Sequence, residues 1–361
     1  MALMILYNHI CYLMKRLDKS LILLLMVALA VTFVSCSSRD KRIRKNITSI
    51  LTPISSGNPY EIMVVAEDSI YDGYPGKSLL DVLKTPMKGL PRDEAYFKVS
   101  HVTPEHYDRI TNLFRNIIRI VVDPNEYTMA KFRLERDVFS SPQAILTIQG
   151  PDVVSVSTYI TEHTQFLLNF FTDEEINREA TYLQDEHNVK FAQAVKEMFG
   201  CEFFIPIELN KMKKGDHFIW ASNDAVSGLQ NIVIYSYPYV SKDVFNRGVY
   251  LALRDSFMRE NIPGEKPNMY MSTYRPSVML KDINVRGHYA QEARGLWEMK
   301  NDMMGGPFVA HSIVDTIRGM IVVAEGFVYA PEKNKRGMIR KLEASLYTLN
   351  PLPEEKSEDK K

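Results

Sequence analysis

The chain has 361 residues, 45% of them hydrophobic, and its 44 lysines and arginines balance 44 aspartates and glutamates for a formal net charge of zero. That balance leaves no electrostatic footprint for nucleic acid or an anionic bilayer surface, so partners of those kinds are not expected. Of three cysteines, two lie near the N-terminus and only Cys201 falls in the body of the chain, so no internal disulfide is available and stability must come from burial.

In chain order, the first signal is the apolar run from Leu21 to Val34, too short for the roughly 20 residues of a membrane-spanning helix but long enough for the core of a signal peptide. Lys15, Arg16 and Lys19 supply the positive segment before it, which makes Met14 the expected true start. Val34, Ser35 and Cys36 resemble the end of a bacterial lipoprotein signal, with Phe33 where such signals usually carry leucine. The resemblance implies cleavage before Cys36 and lipidation of its thiol, anchoring the protein to a membrane through acyl chains at about 0.8 kcal/mol per buried CH₂. Residues 1–35 are then the signal peptide, 36–58 the lipidated cysteine and a polar tether, 59–350 the folded region and 351–361 a disordered tail.

Within the folded region, "YEIMVVA" (60–66) reads as a buried strand, followed by a short helix through Leu79, Leu80 and Leu83. The run "FKVSHV", "PEHYDRITNLF", "RNIIRIVV" predicts strand, helix, strand, and "AILTIQ" another strand. Residues 152–199 read as helical, with a capping box of Thr172 and Glu175 opening the second helix. "CEFFIPIEL", "HFIWAS" and "NIVIYSYPY" predict strands, and a helix over 242–260 follows with Phe245, Val249, Ala252 and Phe257 inward. "MYMSTY", "GHYAQEARGLWEM", "PFVAHSIV" and "GMIVVAEGFVYA" are strand-like pieces between glycine and proline turns, closed by a last helix with Met338, Ile339, Leu342, Leu346 and Leu349 inward. Adjacent strands closed by helices predict an α+β fold with mostly antiparallel sheets, as one large domain or two intimate halves. "ILTIQGP" and "IVIYSYP" echo each other weakly, without enough shared residues to mark a duplication.

Three stretches invite chemistry. Gly76-Lys77-Ser78 suggests a phosphate loop, but Tyr71 stands where that pattern needs glycine, so a glycine turn with Ser78 capping a helix is the reading the residues favour. His101, Glu105 and His106 are close in sequence, yet a helix starting at Pro104 separates their directions, and His311 and Asp315 sit about 13 Å apart along one strand, so no metal site and no cofactor are expected. Cys201, beside "EFFIPI", reads as a buried inert thiol. On "HYAQEARGLWEM", Tyr289, Ala293, Trp297 and Met299 form a core face; Glu292, Arg294 and Glu298 form the other, a solvated ladder of ion pairs or the charged groove of a ligand site. Glu325 falls on the same strand face as Ile321, Val323 and Phe327, which predicts a buried carboxylate needing a partner: Arg294 first, Arg254 in reserve.

Arg294-Gly295-Leu296-Trp297, Gly305-Gly306-Pro307-Phe308 and Glu325-Gly326-Phe327-Val328-Tyr329-Ala330-Pro331, with "FIWASND", "IYSYPY" and the early "NPYEIMVVAE", resemble a family of Bacteroidota lipoproteins, domain of unknown function 4837, over nearly the whole folded region. The resemblance implies a cell-envelope compartment and a lipid anchor, and brings no catalytic residues. The expectation is a binding or scaffolding module facing the periplasm from the outer membrane, its partner an envelope protein or glycan; a hydrolase built from Glu292, Glu298, Asp315 and Glu325 is the alternative, with the sequence leaning away from an enzyme.

Overall fold

The computed structural model describes residues 52–225 and 228–353, so the expected signal peptide, Cys36, most of the expected tether and residues 354–361 lie outside the described residues. In the first half, strands β1 (Glu61–Val65), β2 (Lys98–Val102), β3 (Asn116–Val122), β4 (Lys131–Arg136) and β5 (Ala144–Gly150) form one sheet in the order β2-β1-β3-β5-β4. The first four in that order are parallel, and β4 is an antiparallel edge. Every residue of β1 and β5 is buried, as the unbroken apolar runs of central parallel strands require. Helices α1 (Asp68–Tyr71), α2 (Tyr74–Leu83), α3 (Val153–Glu162) and α4 (Thr164–Asp185) follow, and α2, α3 and α4 cover one face of this sheet through Leu79, Leu83, Val156, Ile160, Leu167 and Phe171.

The second half opens with α5 (Val189–Phe199) and holds a seven-stranded antiparallel sheet in the order β10-β11-β12-β13-β9-β8-β7. Its strands are β7 (Lys211–Gly215), β8 (Phe218–Ser222), β9 (Leu229–Pro238), β10 (Met271–Val285), β11 (His288–Met299), β12 (Gly305–Asp315) and β13 (Met320–Tyr329). Helix α6 (Arg247–Asn261) covers one face; α5 and α7 (Arg336–Leu346) cover the other. Because α4 packs on α7, the two sheets stack with their helices between them. The fold is α+β in two intimate halves, with antiparallel pairing in most ladders. β5 sits between parallel β3 and the edge strand while β9 sits inside an antiparallel sheet, so their sequence echo marks no repeated unit.

Several local expectations change. "PEHYDRITNLF" forms two single 3₁₀ turns, Pro104–His106 and Thr111–Leu113, because Asp108 accepts from the backbone N–H groups of Ile110 and Thr111 and competes with a helix. Thr172 caps nothing: α4 runs through it unbroken, and its hydroxyl is buried without a partner. Only Cys201–Glu202 of "CEFFIPIEL" is strand (β6), pairing with β14 (Asn350–Pro351); Phe203, Ile205 and Leu209 bury without strand pairing. β7, with Met212 alone among lysines, carries no apolar alternation to reveal it, and β4 alternates only Phe132 and Leu134 between charged residues.

Candidate functional site between the two halves

Glu325 is where its period places it, fully buried on β13, but the partner is Arg254 on α6. Arg254 Nε and Nη2 donate to the two carboxylate oxygens at 2.8 and 2.6 Å, and Nη1 donates to Thr273 Oγ1 at 2.7 Å. Arg294 cannot reach it: Ala293, Ala310 and Glu325 lie in register across β11, β12 and β13, which puts Arg294 on the opposite face of the sheet. Burial lowers the Arg254 pKa and Glu325 outweighs it, so the guanidinium stands above its ordinary value and stays charged. The predicted apolar stripe of this helix was off by a step: Tyr250, Leu251, Arg254 and Met258 face inward, and Ala252 is exposed.

On the other face, β11 carries Glu292 and Arg294 into the space between the halves, where α7 presents Arg340 and Glu343. Arg294 Nη2 donates to Glu343 Oε1 at 2.5 Å and to Glu292 Oε2 at 3.4 Å. Arg340 Nη1 donates to Glu343 Oε2 at 3.3 Å. His311, fully buried on β12, places Nε2 3.7 Å from Glu292 Oε2, and its ring meets Tyr347 edge-on at 4.8 Å. Burial pushes the Glu292 carboxyl up, but Arg294 and His311 outweigh it and hold it well below the usual carboxylate range. The Arg294 side chain is only 12% exposed, so this is no solvated ladder.

The first half completes the cluster. Gly89, at φ +82°, lies so close to Arg294 that an added Cβ would fall 2.5 Å from its Cγ. Glu94 accepts from the backbone N–H groups of Lys335 and Arg336 at 2.7 and 2.9 Å, capping the start of α7 from across the junction. A cavity of 430 Å³ opens here, lined by Tyr96, Leu168 and Asp173 from the first half and by Glu292, Arg294 and Arg340 from the second. A neighbouring cavity of 590 Å³ shares Asp173, Ile176, Lys281 and Tyr347 with it and continues along α4 past Asn177, Thr181 and Gln184. Together they make a groove between the halves, lined with amides, hydroxyls and charges.

Of the residues picked from sequence, Glu292 and Arg294 line this groove, Glu325 is sealed behind the sheet, and Glu298 lies at another surface hollow, where it holds Lys300. Asp315 is locked in the β12–β13 turn, accepting from Arg318 Nη1 at 2.8 Å. The four carboxylates offered for a hydrolase do not converge, and that reading loses its geometric basis. Gly76 is required by packing, since a Cβ there would sit 1.9 Å from Tyr71 O, and Ser78 bonds to Ser157 inside the fold instead of capping α2, whose N-cap is Gly73. His101 stacks on Tyr71 and meets Ala66 O at 2.9 Å, while His106 turns to Thr103. Burial pushes the Cys201 thiol up to about 12, as for an inert thiol. Among the described residues no three His, Cys, Asp or Glu side chains are placed to share a metal. Sequence reading missed Arg340 and Glu343; the signal was there in Arg336, Arg340, Glu343 and Tyr347, a second stripe at helical spacing beside the apolar one.

Comparison with known proteins divides the chain at the same place. Residues 188–348 match a domain of unknown function, DUF4837, and residues 55–184 match a separate one, DUF8532. The resemblance to the first therefore stops short of the early "NPYEIMVVAE", which falls in the second. No curated protein matches the chain. A crystal structure from Bacteroides thetaiotaomicron is similar in part, at 12% identity and a TM-score of 0.24, covering 43% of this chain and 46% of that one. The second half of the chain is thus similar to DUF4837 and the first half to DUF8532, two domains of unknown function.

Proposed function

We propose that the protein is a binding module of the cell envelope, held to the outer membrane by lipid on Cys36 and facing the periplasm, and that its ligand lies in the groove between the halves. The observation that carries the binding half of this reading is the groove itself: both domains wall it, and it contains partly buried charges beside a row of amide and hydroxyl side chains on α4. Such a lining recognises a polar chain, a short peptide or oligosaccharide of the envelope, through hydrogen bonds with few apolar contacts. The anchoring half rests on the signal-like segment ending at Cys36.

The test uses the full chain in detergent. Melting temperature is followed against a panel of envelope-derived oligosaccharides and short peptides, with Ala180→Trp as the variant that fills the groove from α4. A panel member that raises the wild-type melting temperature and leaves Ala180→Trp unmoved supports the reading. Stabilisation that persists in the filled variant places binding elsewhere. Labelling with a fatty-acid analogue should mark the wild type and not Cys36→Ala.

A further inference from the structure

Arg340 is 3% exposed, yet its hydrogen bonding is nearly empty. Of its five N–H donors, only one on Nη1 is used, in the 3.3 Å bond to Glu343; Nε is buried without a partner, and Nη2 carries no hydrogen bond among the described residues. A buried guanidinium is ordinarily saturated, because each stranded donor costs about 1–3 kcal/mol. The free donors are also a particular pair. Nε–H and Nη2–H form the side-on fork that matches the two oxygens of a carboxylate. The same protein fills that fork elsewhere: on Arg254 the Nε and Nη2 donors hold Glu325 at 2.8 and 2.6 Å.

The surroundings fix Arg340 without using its edge. The rings of Tyr60 and Tyr96 lie 5.2 and 5.1 Å from its guanidinium carbon and restrict how the plane can turn. Glu343, the acid nearest in sequence on its helix, is already bound by Arg294. The residue lines both the 430 Å³ cavity of the groove and a 350 Å³ cavity beside Tyr60 and Glu179, so its guanidinium lies between two open spaces. Lys88 and Lys281, exposed on the groove lining and without an ion-pair partner among the described residues, add positive charge at the approach.

We infer that Arg340 is the receptor for a ligand carboxylate, seated side-on against Nε and Nη2 where the groove meets the Tyr60 cavity. This rests on the binding reading above and narrows it to ligands that carry a free carboxylate, such as a peptide C-terminus or an acidic sugar. A doubly charged phosphate is disfavoured by Glu292 and Glu343 in the same lining.

The experiment is proton–nitrogen NMR of the detergent-solubilised full chain, following the Arg340 Nε–H signal and the Gly337 amide, with N-acetylglycine, its C-terminal amide and inorganic phosphate as probes. N-acetylglycine should shift the Arg340 signal saturably while the amide leaves it in place. Arg340→Lys, which keeps the charge and removes the fork, should weaken the carboxylate about tenfold as read at Gly337. Equal shifts from acid and amide, a shift from phosphate alone, or none would overturn the inference. If the lysine variant fails to fold, the contrast between acid and amide in the wild type decides. A panel ligand blocked by Ala180→Trp but indifferent to Arg340→Lys keeps the groove and removes the carboxylate; an acid-specific shift with no stabilising panel member keeps the Arg340 receptor and removes the panel's compounds as its ligands.

Discussion

At the scale of single residues, the molecule places two ion-paired glutamates on opposite faces of one sheet, and they should behave differently. Glu325 and Arg254 are each fully buried, so Glu325→Gln leaves a buried arginine with a neutral neighbour and should cost about 3–5 kcal/mol by chemical denaturation. An unchanged unfolding midpoint would mean that Glu325 carries no negative charge for Arg254 to pair with. Glu292 is held below its ordinary pKa, so it binds its proton less readily folded than unfolded. Its contribution to stability is therefore fully present above the unfolded value, about 4.3, and is lost as pH falls below it. Wild-type stability should fall more steeply than that of Glu292→Gln between about pH 5 and pH 2; parallel curves would remove Glu292 from the network. The burial of Glu325 was legible from the period of its strand. Its partner was not, because choosing between Arg294 and Arg254 requires knowing which face each strand presents once register is set.

At the scale of elements, the junction is built by features with no local signature. Glu94 lies in an irregular segment, yet it caps a helix more than two hundred residues later in the chain. Glu94→Ala should destabilise the chain by about 1–2 kcal/mol, with Glu94→Gln recovering part of the loss because it keeps an acceptor but not the charge. Equal losses in both variants would show that shape, and not the acceptor, matters. Strands β11, β12 and β13 and the inward side of α7 could be read from sequence, β11 and α7 from their periods and β12 and β13 from long, mostly apolar runs buried on both faces. The capping box at Thr172 misled because a local pattern at the middle of α4 competes with packing along the whole helix, and packing decides. The inward face of α6 misled because its central residue is an arginine, which an apolar stripe leaves out.

At the scale of the whole molecule, a largely parallel sheet and an antiparallel one are joined through α4 and α7, and the boundary between the two domain families falls at the same place, between α4 and α5. The groove forms only where both domains meet, so neither half's sequence pattern could announce it: Arg294 and Glu292 looked solvated on β11 until Gly89, Tyr96 and α4 were brought over them. The most direct test of the groove as the ligand site is a photoreactive benzophenone side chain placed at Asn177, on the groove lining, and at Lys131, on the outer edge strand, in the full chain in living cells. After irradiation and mass spectrometry, the account predicts a ligand adduct at position 177 and none at 131; an adduct at 131 with none at 177 would contradict it.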